Sequence, residues 1–88
     1  MIRRRVVIHG RVQGVFFRDS TRRLAQQHRV AGWAANRWDG TVEAVFEGED
    51  EAVERLVRFA RAGPHGAEVE RVEVVEEEPE GLSGFAVR

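Results

Sequence analysis

Apolar and polar residues alternate along several stretches of the chain, and this two-residue period is typical of β-strands with one buried face. The clearest stretch is 41–47, where Val42, Ala44 and Phe46 alternate with polar neighbours. In the stretch 67–76 the period slips by one residue, which predicts a bulge or an edge position for that strand. Together the alternating stretches predict five strands, over residues 3–9, 30–37, 41–47, 67–76 and 85–88.

Two other stretches repeat their apolar residues every three or four positions, as a helix with one buried face does. The first covers residues 17–28, and the second covers residues 50–62 and stops before a Gly-Pro pair that favours a helix end. Between the second and third strands, Asp39 and Gly40 predict a two-residue hairpin turn. The elements therefore follow the order βαββαβ, with one short strand after them.

This order predicts a ferredoxin-like α/β (α+β) sandwich, formed by residues 1–88 as one domain. Its two helices cover one face of an antiparallel or mixed sheet. The first and second strands run parallel with the third between them. The loop after the first strand and the C-terminal end of the second therefore lie at the same edge of the sheet, about 10 Å apart at about 4.8 Å per strand step.

The loop after the first strand has the features of an anion site. Residues 10–18 read Gly-Arg-Val-Gln-Gly-Val-Phe-Phe-Arg, between a predicted strand and a predicted helix. Glycines allow a tight turn, a helix N-terminus presents free N–H groups, and Arg18 adds a planar charged group that matches phosphate oxygens. The loop matches neither the Walker A pattern nor the dinucleotide GxGxxG pattern, and the chain has no cysteine for a phosphatase loop. The alternative is a strand-to-helix turn that contains two glycines and an arginine by coincidence.

Asn36 is the only asparagine of the chain and lies near the end of the predicted second strand. In the predicted topology, its side chain and Arg18 converge on one anion that the backbone amides of residues 11–17 also hold. This prediction depends on the predicted fold.

Charge is distributed unevenly along the chain. Residues 1–37 hold nine arginines and one acid, whereas residues 38–88 hold five arginines and fourteen acids, for a net charge of −1. A basic half can bind nucleic acid or a small anionic ligand. We favour a third interpretation, in which the two halves face each other in the fold and neutralise each other.

Other features of the composition narrow the class of protein. All fourteen basic residues are arginines, which suits a thermophile or a GC-rich genome. The absence of cysteine, of a membrane-length apolar stretch and of a secretory leader leads us to expect a cytoplasmic protein. His9 could act as a base beside the loop, although a single histidine at a strand end is more often structural. The three histidines lack metal-ligand spacing, so we expect no metal.

Residues 10–18 and residues 32–43, Gly-Trp-Ala-Ala-Asn-Arg-Trp-Asp-Gly-Thr-Val-Glu, resemble the acylphosphatase family, and residues 83–88 are similar to its C-terminal strand. The resemblance implies hydrolysis of acyl phosphates to a carboxylate and inorganic phosphate, without metal, cofactor or covalent intermediate. It also implies that Arg18 binds the phosphate, that Asn36 positions the attacking water and that loop backbone cradles the phosphate. The implied loop residues are Arg11, Val12, Gln13, Gly14, Val15, Phe16 and Phe17.

Two other functions stay open at this point. The basic N-terminal half fits an RNA-binding module, although the first strand carries no aromatic residue and the RNP1 pattern is absent. A non-catalytic or regulatory relative, or one that acts on carbamoyl phosphate in a larger assembly, would share the fold. We expect a monomer with a small acyl phosphate as substrate, inorganic phosphate as product, and no nucleic-acid or membrane partner. Phe16, Phe17 and Trp38 are near enough in sequence to contribute to the acyl side of the site.

Overall fold

The computed structural model describes residues 1–88. In chain order its elements are β1 (Ile2–Arg11), α1 (Phe17–Gln27), β2 (Ala31–Asn36), β3 (Val42–Gly48), α2 (Asp50–Ala62), β4 (Glu68–Glu77) and β5 (Phe85–Val87). The strands form one sheet in the order β4-β1-β3-β2-β5, and every neighbouring pair is antiparallel except β2 and β5. The predicted ferredoxin-like βαββαβ fold, with a mixed sheet and a short C-terminal strand, is confirmed.

Both helices pack on one face of the sheet, because each strand directs every second side chain to that face. Ile8 of β1 and Phe46 of β3 are buried there against Phe17 of α1 and Leu56 of α2. Burial of an apolar side chain of this size stabilises the fold by about 1.5–3 kcal/mol relative to exposure. Neither helix is long and apolar enough to span a membrane.

β4 is the edge strand beside β1, and it carries the bulge that its slipped apolar period predicts. The pairing of the two strands shifts between His9 and Gly10, so that Glu70 has no partner. Only glycine fits at position 10, because a Cβ atom there would lie 2.1 Å from the carbonyl oxygen of Glu68. The bulge lies just before the end of β1, so it sets the direction in which the following loop leaves the sheet.

The connection between β2 and β3 is wider than the two-residue turn that Asp39 and Gly40 predict. Five residues, 37–41, separate the two strands, and the N–H of Arg37 donates to the carbonyl of Thr41 at 2.9 Å. Asp39 Oδ1 accepts hydrogen bonds from the hydroxyl and the N–H of Thr41, at 2.6 and 3.0 Å, and these bonds lower the pKa of Asp39. The prediction of a two-residue turn was wrong because the N–H of Thr41 donates to the Asp39 side chain rather than to the opposite strand.

The basic and acidic halves of the chain neutralise each other on the face of the sheet that the helices leave open. Arg3 pairs with Glu47 and Glu77, and Arg5 pairs with Glu43 and Glu77. Hydrogen bonds from Arg5 and then Arg3 lower the pKa of Glu77. The prediction that the two halves face each other is therefore confirmed, and these two arginines are engaged within the protein.

Candidate active site

A cavity of about 290 Å³ opens at the edge of the sheet where β1 and β2 end. This is the edge at which the predicted topology brings the glycine-bearing loop beside the end of the second strand. The cavity is lined by Val12, Gly14, Phe16, Phe17, Arg18, Asp19, Asn36 and Val87. Arg18 and Asn36, which are 18 residues apart in the chain, thus border one space.

The loop and the first turn of α1 supply a run of backbone N–H groups beside the cavity. None of the N–H groups from Val12 to Asp19 donates a hydrogen bond to another backbone group. The helix has no side-chain cap, and its N-cap residue, Phe16, lies in the left-handed region with φ 61°. Uncapped N–H groups and the positive end of the helix dipole favour an anion at this point.

Arg18 lies in the first turn of α1 and is held by the C-terminal strand region. Its Nη1 donates a hydrogen bond to the carbonyl oxygen of Arg88 at 2.7 Å. Arg88 is itself fixed, because its N–H donates to the Ala34 carbonyl at 2.8 Å and its guanidinium lies 4.4 Å from the centroid of the Trp33 ring. A guanidinium has five N–H donors, so Arg18 keeps several for a ligand in the cavity.

Asn36 is the last residue of β2, and its side chain is exposed. Its backbone pairs with Val42 of β3, which fixes the position of Cα in the sheet. The side-chain amide makes no hydrogen bond to the protein, so its oxygen and its NH₂ group are both available at the cavity. The amide can therefore accept a hydrogen bond from a bound water and donate one to an anion.

The remaining predicted loop residues divide into two groups. Val12, Gly14, Phe16 and Phe17 line the cavity, as described above. Arg11, Gln13 and Val15 do not. Arg11 is the last residue of β1 and its side chain donates to Glu68 at 3.1 Å, Gln13 bonds the β2–β3 connection, and Val15 packs against the core.

Two cavity-lining residues, Asp19 and Val87, were not among the predicted site residues. Asp19 places a carboxylate near the site, but that carboxylate pairs with Arg22 and, at 3.1 Å, with Arg23. These partners lie three and four residues further along the helix, and this spacing could have been recognised in the sequence. Val87 reaches the cavity only through the parallel pairing of β5 with β2, which no local pattern indicates.

Comparison with known proteins identifies the family. The family model described as acylphosphatase matches residues 4–87. The chain belongs to the acylphosphatase family. It is therefore an enzyme of the acylphosphatase class, whose substrates are small acyl phosphates.

Individual members of the acylphosphatase family show the same likeness over nearly all of this chain. The acylphosphatase of Rubrobacter xylanophilus is 60% identical over 86 residues, which cover 96% of this chain and 77% of that protein. The crystal structure of acylphosphatase from Bacillus subtilis superposes with a TM-score of 0.95 at 35% identity, and covers 100% of this chain and 99% of its own. An acylphosphatase structure from Coxiella burnetii gives a TM-score of 0.94 at 38% identity, over 99% and 92% of the two chains.

His9, the possible base in this member of the acylphosphatase family, is engaged away from the cavity. Its Nε2 lies 2.6 Å from Oε2 of Glu73 on β4, and this hydrogen bond is the main cause of the lowered pKa of Glu73. His9 does not line the cavity. These contacts favour the structural interpretation of His9 over a role as a base.

Proposed function

We propose that this acylphosphatase holds the phosphoryl group of a small acyl phosphate with loop amides and Arg18, while Asn36 positions the attacking water. The reaction needs neither a metal ion nor a covalent intermediate in this proposal. The observation that carries it is that Arg18, Asn36 and the uncapped start of α1 border one cavity of about 290 Å³.

The phosphoryl group is the part of the substrate that this site can grip. The backbone N–H groups from Val12 to Phe17 can donate hydrogen bonds to the phosphate oxygens. The guanidinium of Arg18 can bind two of these oxygens at once. The family resemblance also includes Arg11, whose backbone belongs to β1 here. As charge grows on the equatorial oxygens in the transition state, these donors are already oriented, which is the main source of rate enhancement in such sites.

The water is activated by position rather than by a strong base. The Asn36 side-chain oxygen accepts a hydrogen bond from the water and aims its lone pair along the line of attack on phosphorus. A bond forms from the water oxygen to phosphorus, while the bond from phosphorus to the acyl oxygen breaks. The proton lost by the water passes to a phosphate oxygen in this scheme.

The leaving group explains why so few residues suffice. It departs as a carboxylate, a weak base whose conjugate acid has a pKa of about 4, so the reaction needs no general acid. The transition state of phosphoryl transfer is loose and depends on placement and charge stabilisation. A loop, one arginine and one asparagine can supply both.

The proposal also treats residues 1–88 as one domain that acts as a monomer. One hydrophobic core joins both helices to the sheet. Equilibrium sedimentation at assay concentration should therefore give the mass of a single chain, 10.0 kDa.

The first test is phosphate release from benzoyl phosphate in excess EDTA, with wild type compared with Arg18→Gln. We expect release by wild type and a loss of about 10³-fold or more for the variant, since it removes the charge that faces the phosphoryl group. Arg58→Gln is the matched control, because Arg58 is an exposed arginine of α2 without an ion pair.

The second variant, Asn36→Ala, separates water positioning from phosphate binding. It should lower kcat by about 10²-fold and leave inhibition by inorganic phosphate nearly unchanged, because the alanine variant loses only an oriented group. Near-wild-type turnover of Asn36→Ala in steady-state kinetics would show that Asn36 does not position the water.

A further inference from the structure

Gln13 joins the loop of the active site to the connection between β2 and β3. Its Nε2 donates one hydrogen bond to the carbonyl of Arg37 at 2.7 Å and another to the carbonyl of Thr41 at 2.9 Å. Both acceptors are carbonyls, so the side-chain nitrogen must face them, and both of its N–H groups are used. The side-chain NH₂ group of Gln13 is thus fully engaged within the protein and has no donor left for a phosphate.

The two carbonyls belong to the first and the last residue of the connection between β2, which ends at Asn36, and β3. Arg37 follows Asn36 directly, and Thr41 precedes Val42, the residue that pairs with Asn36 across the sheet. One NH₂ group therefore binds both strands of the hairpin at the residues next to the Asn36–Val42 pair. The hydrogen bonds within residues 37–41, described above, fix the conformation of the segment to which Gln13 donates.

No other hydrogen bond or ion pair joins residues 12–16 to residues 37–41. Residues on either side of Gln13 are fixed differently, because Val12 is buried in the core and Gly14 has open space around it. Gln13 therefore makes the only direct hydrogen bonds between this loop and the segment that follows Asn36.

We infer that Gln13 is a positioning residue, which holds the phosphate loop and Asn36 in the relative placement needed for in-line attack by water. The inference rests on the proposed function. It assigns Gln13 a role in turnover that acts through Asn36, although its side chain contacts neither the reacting atoms nor the phosphate.

The variant Gln13→Met tests this role, because methionine has nearly the same length and no donor. We expect kcat for benzoyl phosphate to fall by about 10- to 100-fold, as a displacement near 1 Å does in other sites. The inhibition constant of inorganic phosphate should stay within about 3-fold of wild type, because the loop amides and Arg18 remain. Gln27→Met, the same change at an exposed position of α1, is the control and should leave both values unchanged.

A double-mutant cycle with Asn36→Ala distinguishes positioning from a general loss of structure. If Gln13 acts through Asn36, Gln13→Met should reduce kcat by less than about 2-fold once Asn36 is alanine. Independent losses that multiply would overturn the inference. So would an unchanged kcat in Gln13→Met, or a phosphate inhibition constant that worsens in parallel with kcat.

The pH profile of Gln13→Glu covers the case in which Gln13→Met does not fold. An ionised carboxylate cannot donate to either carbonyl, whereas a protonated carboxyl group can donate to one. The kcat of this variant relative to wild type should therefore rise as pH falls through the pKa of the introduced carboxyl group. A ratio that does not change with pH contradicts the inference.

Failure of the inference and failure of the proposed function give different results. If Asn36→Ala loses turnover while Gln13→Met keeps it, the proposed function stands and the inference is wrong. If Asn36→Ala keeps turnover, the role of Asn36 is wrong and the inference falls with it.

Discussion

Both ends of the sheet bring a row of backbone N–H groups together with an arginine, but only one end contains a carboxylate that occupies them. At the end where β3 finishes, the buried side chain of Glu47 accepts hydrogen bonds from Arg3 and from the N–H groups of Glu80, Gly81 and Leu82. At the opposite end, Arg18 and the N–H groups that follow β1 border the open cavity.

The difference shows how one chemical arrangement can serve stability or ligand binding. Burial alone would raise the pKa of Glu47, but the N–H of Glu80, the guanidinium of Arg3 and the next two N–H groups outweigh it, so its pKa is lowered. The folded protein therefore stabilises the ionised carboxylate. At the open end, no protein group takes the equivalent backbone donors, so under the proposed function their interaction energy is available to a phosphoryl group instead of to folding.

The loops at the two ends of the sheet also differ in backbone conformation. The loop around Glu47 uses glycine at its left-handed residue, Gly81, with φ 82°. The open loop has a left-handed glycine, Gly14 with φ 74°, and in addition Phe16, with φ 61° and 81% of its surface exposed. A bulky residue in this region costs about 1–3 kcal/mol, so the open loop carries a strain that the loop around Glu47 lacks.

Replacement of Arg18 should lower activity, whereas replacement of Arg3 should lower stability. Arg18→Gln is expected to reduce kcat/KM by about 10³-fold or more with little change in stability, because Arg18 faces an open cavity. Arg3→Gln should lower the free energy of unfolding by about 3–5 kcal/mol and leave the folded enzyme active, because it removes the positive charge that is paired with the buried carboxylate of Glu47. Urea unfolding gives the free energy of unfolding, and assays on the folded protein give kcat/KM. A large loss of activity in folded Arg3→Gln would contradict the separate roles of the two arginines.

Glu47→Gln should destabilise the protein by about 3 kcal/mol at pH 7, because it removes the charge that Arg3 and three N–H groups surround. Since the pKa of Glu47 is lowered from its ordinary value of 4.5, its contribution is present above that pH and is lost as pH falls through the folded pKa. Wild-type stability should therefore decline below about pH 4.5 more steeply than that of the variant. Parallel unfolding curves from pH 7 to pH 3 would contradict this assignment.

Inorganic phosphate should stabilise the protein through the open site alone. At a concentration 100 times its Kd, phosphate is expected to raise the free energy of unfolding by about 2.7 kcal/mol. Arg18→Gln should abolish this stabilisation in a thermal melt, whereas Glu47→Gln should retain it because Arg18 and the rest of the open cavity are unchanged. Equal stabilisation of wild type and Arg18→Gln would place phosphate elsewhere.

The smallest expected effect concerns the strained residue. Asparagine tolerates the left-handed region better than phenylalanine does, and the Phe16 side chain buries little surface. Phe16→Asn should therefore raise the free energy of unfolding by about 0.5–1 kcal/mol. A stability loss of that size in chemical denaturation would show that the Phe16 ring contributes more than its conformation costs.

Local pattern was enough to predict the elements and their order. The alternation of Val42, Ala44 and Phe46 and the helical stripe of α2 are both strong, and α2 begins and ends where the pattern predicts. Strand order then followed from handedness rules, which placed the glycine loop beside the end of β2. That placement is what brings Arg18 and Asn36 to one cavity.

The contacts that the sequence did not predict depend on side chains meeting across long separations. Glu47 looks like an ordinary outward-facing residue of an alternating strand, and only the path of residues 80–82 buries it. The tie from Gln13 to the β2–β3 connection depends on an unpredicted wide turn. In both cases the deciding partner is a backbone group, whose position no residue type encodes.

The position of β1 between β4 and β3 in the sheet has a consequence for synthesis. This strand leaves the ribosome first, yet it pairs with β3 on one side and with β4 on the other, and Arg3 bonds Glu77 across a separation of 74 residues. Contacts between residues so far apart slow folding, because the chain must close a long loop before it gains them. During translation, β1 therefore keeps one edge unpaired until β4 has emerged, and the nascent chain exposes that edge during the synthesis of the elements between them.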